Sequence, residues 1–554
     1  MRKLILIFTL FISGLLSAQT DPLNQQIITV GDRSIQLRDA FKISEYPSIF
    51  DTVQNAPNIS YFPLNFDAEL NYEVQPIQAA KLRIVEPLTK LNRFYLKAGV
   101  GNYLSPLGEI TFNALRDRSN SYGFNGRYHS SRGGIQDVVN SSFSDIEFKP
   151  WYRNIGRKVR FDIQPYYSKN TLHQYGYLNA EVDTVPTADG IYQAYQFYGG
   201  QVRLKSFYKD STKVNYDLNL GTRLMDDQFG AKELNVKGSL LLSALYGKEY
   251  YQLLTSADVN AYNTEGVDTL GVTKNSTIIR FSPSVQSTGE KFKVKIGIGV
   301  FADASDPTKF FFLPDVSASL NVLDGVMSPY VRLTGNVERQ NFFSTTRTNP
   351  FVNSRLDIRN EHNKFIAEVG IRGGISERVS YHIGGFLKKR DQAAFFVADS
   401  TDLVRNKFDL IYDDMEAAGG QLELKYQNGE KLKILTGFTY TKFTTEKEAQ
   451  AWYMPSMRGD LDVFYDIQDK FTVKMGVDFI GERFAKVLDL STLGYTVKSL
   501  DPITDINLGL EYRYTRKISA FMDVNNILGK RYLLFDQYPA MGINIMAGFT
   551  ISFL

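Results

Sequence analysis

Hydrophobic and polar residues alternate along most of the chain. In residues 470–479, every odd position from Phe471 to Phe479 is apolar and every even position is polar or glycine. Residues 505–514 and 542–553 show nearly the same period of two. Because successive side chains of a β-strand point to opposite faces, this period predicts strands with one apolar and one polar face. The pattern therefore predicts an all-β fold.

The number and length of these runs favour a large barrel. Many runs reach 10 to 14 residues, which exceeds ordinary globular strands and suits tilted strands that cross a bilayer. From residue 91 onwards we count about 22 runs, within a range of about 18–22, and their spacing of about 21 residues is typical of large membrane barrels. We therefore predict an antiparallel transmembrane β-barrel with an extended N-terminal arm.

The connections between the runs alternate in length. Turn-forming residues mark a short set at 153–157, 209–212, 246–249, 288–290, 324–325, 376–378, 428–430, 468–469 and 515–516. A long, polar set falls at 169–193, 263–275, 341–363, 391–416, 445–455, 484–503 and 527–540. Outer-membrane barrels have short periplasmic turns and long external loops. A soluble sandwich or a secreted propeller also alternates, but a propeller does not separate loop lengths by parity.

The N-terminus predicts export. Arg2 and Lys3 precede a short apolar run, and small residues lead to Ala18, as in a secretory signal peptide. A membrane anchor is the alternative, but the apolar run is too short to span a bilayer. We divide the chain into a signal peptide (1–18), a proline-rich periplasmic or luminal arm (19–90) and an outer-membrane barrel (91–554). The arm holds six of the 18 prolines.

Composition excludes several classes of chemistry. The 554 residues contain no cysteine, so disulfides, thiol nucleophiles, Cys-ligated metals and lipoprotein anchors are excluded. The net charge of +3 gives no case for nucleic-acid binding. There are 33 Tyr and 39 Phe against two Trp, and many of these aromatic residues lie near predicted strand ends. At strand ends they suit the interfacial girdles of a barrel, as at 94–95, 151–152, 166–167, 250–251, 512 and 514.

The C-terminal segment resembles the end of TonB-dependent receptor barrels. The residues that carry the resemblance are Asn526, Lys530 and Tyr532, followed by Tyr538, Pro539 and Gly542. The last strand is similar to the insertion sequence that the outer-membrane assembly machinery recognises, through Phe549, Ile551, Phe553 and Leu554. In this chain the aromatic residue is penultimate. The resemblance implies a 22-stranded outer-membrane barrel.

A second resemblance concerns the N-terminal region. Residues 39–43, 51–53 and 86–91 resemble the start of TonB-receptor-like outer-membrane proteins of Bacteroidota. Receptors of this family carry a folded plug and a TonB-contacting segment before the barrel, whereas residues 19–90 show neither a complete plug nor a clear TonB box. The lumen could be filled by this arm, by long loops or by a partner protein. Whether TonB energises the barrel is therefore open.

Candidate chemical sites are few. The histidines (His129, His173, His362 and His382) have no metal-ligand spacing, and none is paired in sequence with a nucleophile. Oxygen ligands for Ca²⁺ could come from Asp303, Ser305 and Asp306 or from Asp413 and Asp414, but the spacing is not that of a calcium loop. Charges expected in the lumen are Lys431, Lys433, Lys470 and Lys474 opposite Asp460, Asp462 and Asp466. We expect these to form cross-strand ion pairs, or to tune passage or dock a luminal segment.

These observations and resemblances lead to one main functional hypothesis. We expect an outer-membrane barrel that transports or takes up a solute, without catalytic residues, cofactor or bound metal. The alternative is a non-transporting subunit or anchor of an envelope complex, and an outer-membrane enzyme is a third. Expected partners are outer-membrane lipid, the assembly machinery during insertion, and a periplasmic or surface lipoprotein.

Overall fold

The computed structural model describes residues 92–553, except 115–116, 118, 137, 178–186, 211–212, 266–270, 272, 306, 400–405 and 490–493. The predicted signal peptide and arm lie outside the described residues, as does Leu554. The described chain is nearly all β-structure with one short α-helix. No helix among these residues is long and apolar enough to cross a membrane.

The elements follow one another in hairpin order along the chain. The strands are β1 (Phe94–Gly101), β2 (Ser105–Asn113), β3 (Asn120–Ser131), β4 (Phe143–Ile155), β5 (Val159–His173), β6 (Tyr192–Ser206), β7 (Asn215–Asp227), β8 (Lys232–Tyr246), β9 (Glu249–Asn263), β10 (Thr273–Thr288), β11 (Phe292–Asp303), β12 (Lys309–Leu320), β13 (Ser328–Glu338), β14 (Glu361–Ser376), β15 (Val379–Ala398), β16 (Phe408–Asn428), β17 (Leu432–Thr445), β18 (Met457–Ile467), β19 (Phe471–Ile480), β20 (Arg483–Asp489), β21 (Gly494–Leu500), β22 (Ile503–Arg513), β23 (Ile518–Asn525), β24 (Leu533–Phe535), β25 (Tyr538–Pro539) and β26 (Asn544–Phe553). The helix α1 (Phe342–Thr348) lies between β13 and β14.

Twenty-two of these strands form one closed antiparallel sheet. Each barrel strand pairs with the next in sequence, β19 pairs with β22, and β23 pairs with β26. The sheet closes because β1 pairs with β26, from Phe94 opposite Phe553 to Gly101 opposite Met546. The hairpins β20–β21 and β24–β25 stand outside the barrel sheet. The prediction of a barrel with about 22 strands is confirmed.

Connection length follows the predicted parity at the predicted turns and loops, although the loop end also has short connections at 102–104 and 228–231. At the end where β26 finishes, the connections are short, at 114–119, 156–158, 207–214, 247–248, 289–291, 321–327, 377–378, 429–431, 468–470 and 514–517. All nine predicted turns fall at this end. The opposite end carries the long connections, including 174–191, 339–360, 481–502 and 526–543. We call these two ends the turn end and the loop end.

Several predicted loops contain regular structure. Most of predicted loop 391–416 is strand, since β15 runs to Ala398 and β16 starts at Phe408. Predicted loops 484–503 and 527–540 contain the hairpins β20–β21 and β24–β25, and predicted loop 341–363 contains α1. Helix α1 begins with a capping box in which the Asn341 side chain accepts from Ser344 N at 2.9 Å. The loop end is therefore a folded structure.

The barrel wall has an apolar outer face and a polar inner face. On β7, Leu218, Leu220 and Leu224 are 43–50% exposed, while Asp217 on the other face pairs with Arg203 of β6. The same alternation exposes Ile296 on β11 and Val369 on β14. Exposed aliphatic side chains around a closed barrel are what a lipid environment stabilises, because water would have to hydrate them.

Aromatic side chains form a girdle at the turn end. Tyr246 and Tyr514 are 78% and 67% exposed there. Phe94 stacks on Phe553 across the closing pair of strands, with 5.0 Å between ring centroids. Of the residues predicted for girdles, Tyr152, Tyr251, Tyr512 and Tyr514 are exposed. Tyr95 and Tyr166 instead share the strand faces of Lys97 and Asp162, which lie inside the barrel.

Barrel closure generates the first prediction. A Cβ at Gly548 would collide with the backbone of Ala98 and Gly99 on β1. We expect Gly548→Val to force β26 away from β1 and to cost about 1–3 kcal/mol or more, as overpacking does. The measurement is the heat-dependent mobility of the folded barrel on SDS gels. Gly108→Val is the matched control, because no heavy atom lies within 4 Å of a Cβ there. Equal folded fractions for both variants would contradict this account of the seam.

Candidate functional site

The loop end of the barrel is covered by an apolar core built from distant parts of the chain. We call it the cap core. Its buried members are Tyr195, Phe197, Met225, Ala231, Tyr262, Phe342, Val352, Leu356, Ile358, Phe408, Leu410 and Tyr538. These residues come from β6, β7, β9, β16, β25 and the connections between strands. Strands β10 to β14 separate β9 from β15–β16 along the barrel wall. The core therefore joins separated sectors of the mouth.

The connection between β13 and β14, residues 339–360, supplies the centre of the cap core. We call it the cap loop. Phe342 at the start of α1 is fully buried between two wall aromatics, with ring centroids 5.2 Å from Tyr262 and 6.0 Å from Tyr195. The Glu233 carboxylate of β8 accepts a hydrogen bond from Phe342 N at 2.6 Å. Helix α1 is thus held against β6, β8 and β9.

The rest of the cap loop is also fixed to this sector of the wall. Tyr195 donates to Pro350 O at 2.8 Å, and Tyr262 donates to Ser354 O at 2.6 Å. The Ser354 hydroxyl binds the Asp227 carboxylate at the end of β7. These bonds satisfy backbone carbonyls that burial would otherwise leave without donors.

Both ends of the cap loop carry buried polar contacts. At its start, Arg339 Nε donates to Asp258 of β9 at 3.0 Å, and both side chains are at most 10% exposed. Just after its end, His362 Nε2 lies 2.9 Å from Asp303 of β11, with both side chains under 5% exposed. Removing one partner of a buried charged pair is costly, because the other charge stays buried without compensation. The loop is therefore firmly held at both of its ends.

On the other side of the mouth, the cap loop pairs with the β15–β16 hairpin. Val352 forms an isolated parallel bridge with Phe408. Phe408 N donates to Phe351 O at 3.1 Å, and Asn353 N donates to Phe408 O at 2.8 Å. The cap loop is therefore joined by hydrogen bonds to the β15–β16 hairpin as well as to β6 and β9.

Alternate side chains of the β15–β16 hairpin enter two different cores. Ala394, Phe396 and Leu410 face the cap core. Their sequence neighbours face a second core that includes loop 446–456, with Trp452 and Met454; the hairpin supplies Ala393, Phe395, Val397, Ile411 and Met415 to it. Burial on both faces explains why 393–398 was predicted as a loop, since this run lacks the polar face that marks other strands. At the start of β16, the acidic residues at 409, 413 and 414 interrupt the alternation.

The family-like C-terminal residues position Tyr538 in the cap core. The Asn526 amide, with φ of +48°, donates to Lys530 O at 2.8 Å and to Met541 O at 2.9 Å, which ties together the two ends of the connection 526–543. Tyr532 donates to Asp505 of β22 at 2.9 Å. Between these fixed points, Tyr538 stacks on Phe351 of the cap loop, with ring centroids 3.6 Å apart.

The remaining motif residues have smaller structural roles. Pro539 O accepts from Tyr175 at 3.1 Å, which adds connection 174–191 to the cap. Lys530 is exposed and contributes its backbone carbonyl. A Cβ at Gly542 would lie 3.7 Å from Tyr103 Oη. The predicted motif therefore fixes the conformation of the last outer connection. Its contact with the cap loop was not predicted, because Phe351 and Tyr538 are far apart in sequence.

The predicted insertion residues lie on the outer face of β26. Phe549 and Phe553 are 46% and 42% exposed and share that face with Ile551, while Leu554 lies outside the described residues. Their placement towards lipid fits an insertion sequence, and recognition by assembly machinery stays a prediction.

The predicted luminal charges are placed only in part as expected. The prediction is wrong for Lys431 and Lys470, because they lie in the turns 429–431 and 468–470 and not on barrel strands. Lys433 and Lys474 lie on inner strand faces, as do Asp460, Asp462 and Asp466, and Asp466 pairs with Arg513 at 2.9 Å. Sequence reasoning missed a row of three acidic residues, since Asp478 lies directly opposite both Asp460 and Asp505. Like charges in such positions are unfavourable for the sheet itself.

The histidine and calcium candidates have structural contacts. His129 packs edge-on against Phe143, His173 Nδ1 lies 2.9 Å from Ser142 O, and His382 Nε2 lies 2.6 Å from Tyr330 Oη. Asp413 accepts from Lys447 N and Glu448 N at 2.8 Å each. Asp303 is held by His362 and by the Ser305 hydroxyl, whereas Asp306 lies outside the described residues. Within the described ranges, no group of three or more His, Asp or Glu is placed to hold a metal ion.

Burial also sets the protonation of groups in the outer connections. It raises the pKa of the Tyr175 and Tyr453 phenols above the usual value. Burial lowers the pKa of Arg483 to about 10, and its guanidinium donates to the carbonyls of Leu533 and Leu534 at 2.7–2.8 Å. At neutral pH the phenols stay neutral and Arg483 stays charged, so Tyr175 keeps its donor hydrogen and the Arg483 contacts persist across the physiological range.

Comparison with known proteins gives a likeness in structure. No family model matches the chain, and no curated protein matches its sequence. The pyoverdine outer membrane receptor FpvA from Pseudomonas aeruginosa superposes with a TM-score of 0.64 at 12% identity, covering 84% of this chain and 79% of the receptor. The ferric-catecholate import receptor Fiu from E. coli K12 gives 0.61 at 10% identity, with 83% and 82% covered. The FrpB iron transporter from Neisseria meningitidis gives 0.64 at 9% identity, with 84% and 82% covered. The chain therefore has the closed 22-stranded fold of TonB-dependent receptor barrels.

The packing of Tyr538 generates the second prediction. Tyr538→Ala removes the ring that holds Phe351, which we expect to cost the loop end about 3–5 kcal/mol. Tyr538→Phe keeps the ring and loses only the hydrogen bond to Asn406 O, at a cost of about 1 kcal/mol. The measurement is the rate at which trypsin added to intact cells cleaves after Arg347, Arg355 or Arg359 of the cap loop. Equal cleavage rates in both variants would show that the ring does not hold the loop.

Proposed function

We propose that this protein is an outer-membrane barrel that takes up a solute across the outer membrane. The observation that carries the proposal is the closed 22-stranded barrel with an apolar exterior and a charged interior. Barrels of this size have a lumen wide enough for a solute larger than those that small pores admit. The three similar structures described above are named as receptors or as an iron transporter.

The class of solute is proposed from the similar structures and from the charges on the barrel wall. The similar structures act on pyoverdine, ferric catecholates and iron by their names, so ferric chelates are the first solutes to test. The wall of this barrel carries acidic and basic side chains together, as in the pairs Lys295–Asp315 and Arg332–Glu368. A mixed wall of this kind suits a polar solute and gives no reason to expect an apolar one.

We further propose that residues 1–18 are removed on export and that residues 19–90 occupy the lumen. The arm precedes β1, whose first residue Phe94 lies at the turn end. A periplasmic position of this arm is the alternative, and the truncation experiment below distinguishes the two. The apolar outer face of the barrel would contact outer-membrane lipid. Its other proposed partners are the assembly machinery during insertion, and TonB or a lipoprotein at one end of the barrel.

Loss of the protein gives the third prediction. A strain without it should grow more slowly when one nutrient is limiting, with ferric chelates tested first, because uptake falls when its outer-membrane route is lost. The wild-type chain should restore growth, whereas Gly548→Val should not. Growth rates across single limiting nutrients are the measurement. Normal growth on every nutrient, together with purification in a stable stoichiometric complex, would favour the alternative of an anchor or subunit of an envelope assembly.

Truncation of residues 19–90 gives the fourth prediction. Ser239 lies on the inner face of β8, opposite Ser256 of β9. In permeabilised cells, Ser239→Cys should react slowly with a polymer-linked maleimide in the full chain and quickly after truncation, because the reagent then enters from the turn end. Thr496→Cys on the exposed hairpin β20–β21 is the control and should react equally in both. An unchanged rate at Ser239→Cys in a truncated chain that still folds would show that the arm does not fill the lumen.

A further inference from the structure

We propose that the cap loop is a gate, so that the outer mouth of this barrel is closed by its own chain independently of residues 19–90. The inference goes beyond the proposed function, because closure is a property of the barrel whether or not it transports a solute. Its basis is the position, burial and attachment of residues 339–360.

The first step is that the cap loop crosses the opening. Its Phe342 packs on Tyr195 and Tyr262 on one sector of the wall. Its Val352 pairs with Phe408 at the start of β16, on the far side of β10 to β14. A segment fixed to both sectors lies across the route between them.

The second step is that the crossing is densely packed. Phe342 and Val352 are fully buried, and Leu356 is 5% exposed. The ring of Tyr538 reaches the same core from the last outer connection, stacks on Phe351 and lies 5.0 Å from the ring of Tyr175. Side chains buried to this degree leave little room for water, so a polar solute has no path through the cap core.

The third step is that the attachments differ in strength along the loop. Its two ends are held by buried polar contacts, the ion pair of Arg339 with Asp258 and the contact of His362 with Asp303. Its middle is held to β16 and Tyr538 by two backbone hydrogen bonds, one ring stack and side-chain contacts such as Asn353 with Asp399. The contacts to the β16 side are therefore the ones that separate most readily. Opening would swing the middle of the loop away from β16 and Tyr538 while both ends stay anchored.

The fifth prediction tests this gate from outside the cell. The cysteine-free chain allows single cysteines to be labelled without background. In intact cells that express the full chain, Ser239→Cys should be protected from a polymer-linked maleimide that cannot cross the outer membrane. In a chain that also lacks residues 19–90, which could otherwise shield the same position, replacing residues 342–358 by a short Gly-Ser linker should raise its labelling rate about a hundredfold, because a packed core opens only rarely by itself.

Two controls accompany the gate experiment. Thr496→Cys on the hairpin β20–β21 should be labelled at the same rate whether the cap loop is native or replaced by the linker. Replacing residues 484–499, which form most of the hairpin β20–β21, should leave Ser239→Cys protected, and heat-dependent mobility on gels should show that each variant is folded. Three outcomes would overturn the proposal: rapid labelling with the cap loop intact, continued protection after its replacement in a folded chain that also lacks residues 19–90, or equal exposure by either replacement. None of these outcomes depends on uptake, so the result is separate from the growth test above.

Discussion

Everything in this molecule depends on closing a ring of backbone hydrogen bonds. A strand that faces lipid has no water to satisfy its N–H and C=O groups, so each edge must find another strand. The last pairing, β1 with β26, joins residues more than 440 positions apart and completes the ring. Glycines at this seam, such as Gly548, let the two backbones approach closely. The apolar exterior, the charged interior and the separation into two ends all follow from that closure.

The loop end is built on a different principle. Side chains in the barrel wall have lipid on one side and the lumen on the other, whereas the upper parts of β15 and β16 have protein on both sides. This sandwich gives the outer connections a hydrophobic interior of their own. Hydroxyl groups within it find backbone partners, as Tyr262 with Ser354 O and Tyr195 with Pro350 O. The loop end consequently holds a defined shape that its long connections alone would not impose.

The barrel was predictable from the sequence, and the cap was not. Alternation and connection parity are local properties, so residues 470–479 predict their own strand and the turns near 468–469 and 515–516 mark the ends of its neighbours. The strand at 393–398 was hidden because both of its faces are apolar, and the strand at 408–413 because Asp409 and Asp413 lie on a face that is otherwise buried. The contacts of Phe351 with Tyr538 and of His362 with Asp303 depend on how separated connections meet. The motif around Asn526 and Tyr538 marked one half of the cap, but nothing in sequence pointed to the other half.

The two outer hairpins present very different surfaces to the outside world. The described upper parts of β15 and β16 are covered on both faces, so an epitope tag inserted into either strand there would disrupt two cores at once. In the hairpin β20–β21, Tyr495 and Val497 are about half exposed, and it stands apart from the barrel sheet. A large molecule that binds this end of the barrel from outside would therefore reach residues 494–499 more easily than the buried parts of β15 and β16.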